Sequence, residues 1–175
     1  GRKLYTDELN AAVRGAKKGG AKSIIAIDGH GAGGEHSFNS WLKPELESGA
    51  EYITGFRWGT YVHEFDECDA ILLLGAHAMQ GTPDGVLCHT MQSESWVNVY
   101  LNGKPVGECG LIAAIAGSFD IPVIFVAGDE AVCREVSSVV GKGLFTAPVK
   151  KGLGRYTARN MAPKDACELI ENTVG

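Results

Sequence analysis

Apolar positions along the chain alternate between two rhythms. Residues 6–18 space Leu9, Ala12, Val13 and Ala16 at three- and four-residue intervals, so all four share one face of an amphipathic helix. Thr6 stands where a helix cap is expected, Asp7 and Glu8 suit the first turn, and Gly19-Gly20 ends the pattern. The β-branched run 23–27 follows as a short strand. Residues 71–74, Ile-Leu-Leu-Leu, are continuously apolar, as a strand buried on both faces of a parallel sheet must be. Residues 121–126 read the same way and end in Ala127-Gly128-Asp129. Helices are predicted over 108–118 and 129–140, the second stopped by Gly141, with a further strand over 144–149. A last helix opens on Pro163, whose fixed φ suits a first turn, and runs to about residue 173.

Strands that alternate with helices predict an α/β fold, an open, largely parallel sheet flanked by helices. One stretch departs from that scheme. Residues 96–101 alternate as a strand, Asn102-Gly103 is the strongest short hairpin signal, and 104–106 return, so a β-hairpin is inserted near 96–106. Residues 35–69 scatter Trp41, Pro44, Tyr52, Phe56 and Trp58 among polar positions and read as loops, with a short strand near Tyr52-Ile53 and a helical turn near 61–65.

Composition narrows the class. With 175 residues and 45% hydrophobic content, residues 1–175 are expected to form one α/β domain with a substantial core. The net charge of -5 is spread evenly and Lys and Arg form no runs, which argues against a nucleic-acid or membrane-surface partner. No apolar run approaches the roughly 20 residues of a membrane span and the N-terminus lacks a signal-peptide pattern, so a soluble cytoplasmic protein is expected. The five cysteines, an odd number with no zinc-ribbon or redox spacing, are expected as reduced thiols.

Candidate chemistry gathers where strands end. An open α/β sheet keeps its ligands beyond the carboxyl ends of its strands, and His30 and His77 each follow such a strand. Imidazole is a common ligand for zinc and related metals. Glu108 opens a helix just after the hairpin, where it is either a rigidly held metal carboxylate or simply an acidic residue favoured by the helix dipole. His89 lies beyond a loop whose Gly81, Pro83 and Gly85 favour tight turns, and it suits general acid/base work or charge stabilisation beside a metal. Cys88 adjoins it, but neighbours in extended chain point apart, which disfavours a Cys-His nucleophile pair. Asp129 reads as a helix cap, and His36 and His63 as ordinary loop residues. The glycine-rich run 29–34 lacks a Walker lysine and dinucleotide spacing, which leaves nucleotide binding as a weaker alternative.

Taken together, Ile27-Asp28-Gly29-His30, Leu74-Gly75-Ala76-His77, the run from Thr82 to Met91, and Asn102-Gly103-Lys104-Pro105-Val106-Gly107-Glu108 resemble the D-aminopeptidase family of zinc metallopeptidases, the DppA type. The resemblance runs the length of the chain. It implies a metal-dependent aminopeptidase that removes the N-terminal D-amino acid from short peptides by means of a metal-activated water. It implies two zinc ions, with His30, His77 and Glu108 matching the family's ligands and His89 its catalytic histidine. It also implies a ring-shaped homo-oligomer. The Asp-x-Glu pair of the family's first strand has no counterpart upstream of Thr6, so the chain reads as part of a longer protein, and three of the ligands remain in it. The rival reading is a non-catalytic α/β module for assembly or small-molecule binding.

Overall fold

The computed structural model describes residues 1–31, 38–55 and 68–175. In chain order its elements are α1 (Arg2–Lys18), β1 (Ile25–Ile27), a 3-10 turn (Lys43–Glu45), β2 (Glu51–Ile53), β3 (Ile71–Ala76), β4 (Tyr100–Leu101) and β5 (Lys104–Pro105). There follow α2 (Glu108–Gly117), β6 (Val123–Asp129), α3 (Glu130–Val140), β7 (Phe145–Gly154), β8 (Thr157–Asn160) and α4 (Pro163–Val174). The structure gathers the chain into two compact units, residues 1–64 with 163–175, and residues 65–162. The expected helical turn near 61–65 and the residues His36 and His63 lie outside the described residues.

In the first unit α1 packs on α4, and β1 pairs with β2 in parallel, Ile25 to Ile27 against Glu51 to Ile53. The two helices approach so closely at Gly15 that a Cβ there would lie 2.6 Å from the Glu171 carbonyl oxygen. Arg14 and Lys18 bridge to the Glu171 carboxylate over that contact. Thr6 is not the cap. The helix begins at Arg2, and Thr6 is fully buried in its second turn, where its hydroxyl donates to the Arg2 carbonyl at 2.9 Å and accepts from the Leu42 amide at 3.0 Å. A threonine can bond back along a helix in this way, and here the same oxygen also satisfies a tertiary partner.

Trp41 is the largest fully buried side chain among the described residues, 1% exposed, with its ring edge-on to Tyr52 at 5.8 Å and tilted against Tyr5 at 6.5 Å. Trp41→Ala is therefore expected to destabilise the protein by about 3–5 kcal/mol, the usual cost of emptying an aromatic core position. A urea titration in which the midpoint did not move would refute this assignment of the core.

The second unit carries a four-stranded sheet in the order β3-β6-β7-β8, parallel from β3 through β7 and antiparallel at β8. β6 lies centrally and is buried at every position except Ile124, and α3 covers β6 and β7 with Ala131, Val132, Cys133 and Val136. The largely parallel α/β expectation is met. β7 runs past the expected 144–149 to Gly154 and returns as β8, a hairpin that the charged, glycine-bearing stretch 150–160 did not suggest. The β4–β5 hairpin forms on Asn102 (φ 52°) and Gly103 (φ 78°), the two left-handed residues that a type I′ turn requires. Val99 adds one further bond to it, its carbonyl accepting from Val106 N at 2.9 Å, but residues 96–98 do not extend it. Their start is held in a local turn, with the Trp96 amide on the Gln92 carbonyl and the Gln92 side chain accepting from Glu94 and Ser95. Among the described residues no helix is long and apolar enough to cross a membrane.

The end of β3 is irregular. Gly75 has φ 61°, and the pairing with β6 slips between Leu73 and Ala76. A bulge of this kind re-aims the chain that follows it, and the next residue after the strand is His77.

Candidate metal centre

Three of the four residues that the sequence singled out converge in the second unit. His77 leaves the end of β3, Glu108 is the first residue of α2, and His89 lies between them on the loop 77–91. His77 Nε2 and His89 Nε2 each stand 3.6 Å from the same oxygen, Glu108 Oε1, and the two imidazoles stack at 3.9 Å with 17° between their planes. The side chains of His77, His89 and Glu108 are 15%, 21% and 16% exposed, so the cluster is largely desolvated. His30 belongs to the first unit. It follows β1, its amide donates to the buried Asp28 carboxylate at 3.4 Å, and its carbonyl accepts from Phe38.

The tautomers follow from the carbonyls that face each ring. His89 Nδ1 lies 2.7 Å from the Leu87 carbonyl and His77 Nδ1 lies 3.2 Å from the Ala78 carbonyl. A carbonyl oxygen only accepts, so in each ring Nδ1 carries a proton and Nε2 is the nitrogen turned to the site. The Ala78 carbonyl also accepts the His89 amide at 3.2 Å and so ties both histidines to one backbone atom. Two Nε2 nitrogens and a carboxylate oxygen thus face one another.

That donor set suits a cation. His77, His89 and Glu108 offer ligand atoms that all lie within 4.8 Å of one another, and two imidazoles with one carboxylate are a common protein ligand set for catalytic zinc. Ligand atoms about 2.1 Å from a tetrahedral zinc ion lie about 3.4 Å apart, close to the separations found here. Because the two rings are nearly parallel, their in-plane lone pairs cannot both reach one ion, so His77 and Glu108 fit a zinc ion directly and His89 stands beside it.

The loop that carries His89 is held at many points. Turns close from Thr82 to Met79 and from Gly85 to Thr82, as Gly81, Pro83 and Gly85 suggested. Val86 N donates to Asp129 at 2.6 Å, Gln80 N to the Thr90 hydroxyl at 3.1 Å, and Met91 N to Glu108 Oε1 at 2.7 Å. Asp129 caps α3 as expected, through Val132 N at 2.8 Å, and holds the loop with its other oxygen. Leu87 (φ 53°) and Met91 (φ 62°) flank His89 in the left-handed region. Such conformations in residues with a Cβ are uncommon and cluster at functional sites.

Sequence reasoning missed Thr90 and Glu135. Glu135 Oε2 accepts the Met79 amide at 2.8 Å. A signal was available: on α3 Glu135 projects between Ala131 and Val132, both buried, so a carboxylate stands inside the apolar stripe. Burial raises its pKa above the ordinary carboxylate value, and the Met79 amide pulls in the other direction.

All five cysteines are free thiols. Burial pushes the Cys109 thiol up to about 12, so it is a packed side chain beside Glu108 and not a thiolate ligand. Cys88 is buried against Gly85, consistent with the disfavoured nucleophile pairing. Part of the glycine-rich run 29–34 lies outside the described residues.

Known proteins resemble this chain along nearly its whole length. The D-aminopeptidase of Bacillus subtilis (strain 168) is 31% identical over 172 residues, which are 97% of this chain and 60% of that protein. The solved structure of the Zn-dependent D-aminopeptidase DppA from Bacillus subtilis, described as a self-compartmentalizing protease, superposes with a TM-score of 0.90 at 29% identity. That match covers 99% of this chain and 61% of the other. The chain thus spans about 60% of the length of the relatives it matches. A family model described as D-aminopeptidase matches residues 1–175, and the chain belongs to the D-aminopeptidase family.

Proposed function

We propose that this protein is a zinc-dependent aminopeptidase that removes the N-terminal D-amino acid from short peptides. The observation that carries this reading is the convergence of His77 Nε2, His89 Nε2 and Glu108 Oε1 in a largely desolvated cluster. Family membership and the zinc-dependent relative support the choice of metal and reaction. His77 and Glu108 are the metal ligands in this reading, with His30 a further ligand and two ions in all. When bound, zinc supplies Lewis-acid polarisation of the scissile carbonyl and activation of water.

The remaining work falls to this chain's own groups. Glu108, fixed at the head of α2 by its bond from Met91 N, keeps one negative charge at the cation. His89, with Nδ1–H held by the Leu87 carbonyl, presents Nε2 to take up a proton and pass it to the departing amine. The strained backbone on both sides of His89 keeps that nitrogen aimed at the site. A ring-shaped homo-oligomer in the cytoplasm completes the proposal. The self-compartmentalizing relative and the exposed Trp96, Val97, Tyr100 and Leu101 support association.

The test is hydrolysis of short peptides beginning with D-alanine, and of their L counterparts, before and after chelation and zinc re-addition. Turnover of the D series alone, lost to chelator and restored by zinc, is expected. His89→Gln should lower kcat by about 100-fold or more while zinc content stays unchanged. Turnover indifferent to chelator would overturn the metal mechanism, and loss of zinc in His89→Gln would move His89 from proton carrier to ligand.

A further inference from the structure

Glu135 stands behind the metal cluster and touches the two backbone segments that deliver it. Its Oε2 accepts from Met79, two residues beyond His77. Its Oε1 is shut off from solvent and lies against Gly107, the residue immediately before Glu108. A Cβ at position 107 would lie 2.4 Å from that oxygen and 2.9 Å from Met79 Cβ. Met79, Gly107 and Glu135 therefore meet in a contact with no room for a side chain on the middle residue. One carboxylate from α3 spans the exit of β3 and the entry of α2.

A carboxylate in this place is costly. It stands within the buried stripe of α3, and burial is the largest influence on its ionisation. An apolar side chain of similar volume would pack there without that cost, but could not accept the Met79 amide.

We propose that Glu135 is the positioning residue of the metal centre and sets the placement of His77 relative to Glu108 by bridging Met79 and Gly107. This rests on the reading of His77 and Glu108 as metal ligands. Outer groups that orient ligands are worth about 10–100-fold in metal affinity, and the Glu135 bridge acts one residue further out through the backbone.

The experiment compares the full chain with Glu135→Ala and Glu135→Gln, the second of which keeps an oxygen acceptor for Met79. Zinc affinity is measured by chelator competition, and hydrogen exchange of residues 78–81 by mass spectrometry in chelator. In Glu135→Ala, zinc affinity should fall about 10-fold or more. Exchange at 78–81 should rise about 10-fold or more, with β7 and α4 unchanged. Glu135→Gln should restore both to within about threefold of the parent. If the alanine variant does not fold, Glu135→Leu fills the volume without the acceptor and carries the same test. Unchanged exchange at 78–81, or loss of that protection with zinc affinity intact, would overturn the proposal. Failure of the metal-centre reading looks different: the parent chain would bind no zinc, or His77→Ala would retain it.

Discussion

Replacing His77 by alanine is expected to lower zinc affinity by more than about 100-fold while the protein still folds. The lower bound comes from comparison. Loss of an outer group that merely orients a ligand costs about 10–100-fold, so loss of a ligand itself must cost more. Folding should survive because the His77 ring is not a core element: it stacks on His89, approaches Glu108 and meets the Ala78 carbonyl. The core of the second unit is built around Phe125, Val126, Val132 and Val136, each 2% exposed or less. Peptidase activity should vanish with the zinc. Elemental analysis after purification without chelator, beside a thermal melt, checks both halves, and an alanine variant that kept its zinc would remove His77 from the ligand set.

Gly128→Ala is expected to be among the more damaging small substitutions, at about 3 kcal/mol, the upper part of the range for overpacking. Gly128 pairs with Ala76 at the end of β3, and a Cβ there would lie 2.4 Å from the Ala76 carbonyl oxygen and 2.6 Å from Val132 Cγ1. The first of these atoms is backbone in a paired strand and the second is in a fully buried side chain, so neither can swing aside. Relief must come from β3 moving off β6, and Ala76 is the residue before His77. The variant should therefore lose both stability, read as a lower urea midpoint, and zinc affinity. The same change at Gly117, whose Cβ would meet nothing within 4 Å, is the control. A Gly128→Ala protein as stable as that control would show that the β3–β6 approach is looser than described.

These expectations have different roots in the sequence. His77, His89 and Glu108 were visible as strand-end, loop and helix-start residues, because the chemistry of an α/β sheet lies where strands stop and glycines begin. The β4–β5 turn was legible from Asn102-Gly103 alone, since few other pairs accept two successive left-handed conformations. Thr6 was misread because its residue type suits a cap. Its partner, the Leu42 amide, is 36 residues away, beyond any local pattern. The β7–β8 hairpin was missed for a related reason. Its register sets Lys151 against Arg159 and Gly152 against Ala158, pairs without the apolar alternation that announces a strand.

The sequence by itself determined the order of strands and helices apart from β8, the residue types at the strand ends and the family likeness, because these depend on local periodicity and on motifs read within short windows. Only the tertiary structure decided that both Nε2 atoms face one oxygen of Glu108, that carbonyls at Leu87 and Ala78 set both tautomers, and that Glu135 and Asp129 hold the loop between them. Those features depend on the bulge at Gly75, the close approach at Gly128 and backbone amides paired with distant carboxylates. Such a site is the sum of long-range packing constraints, and no short window of sequence contains them.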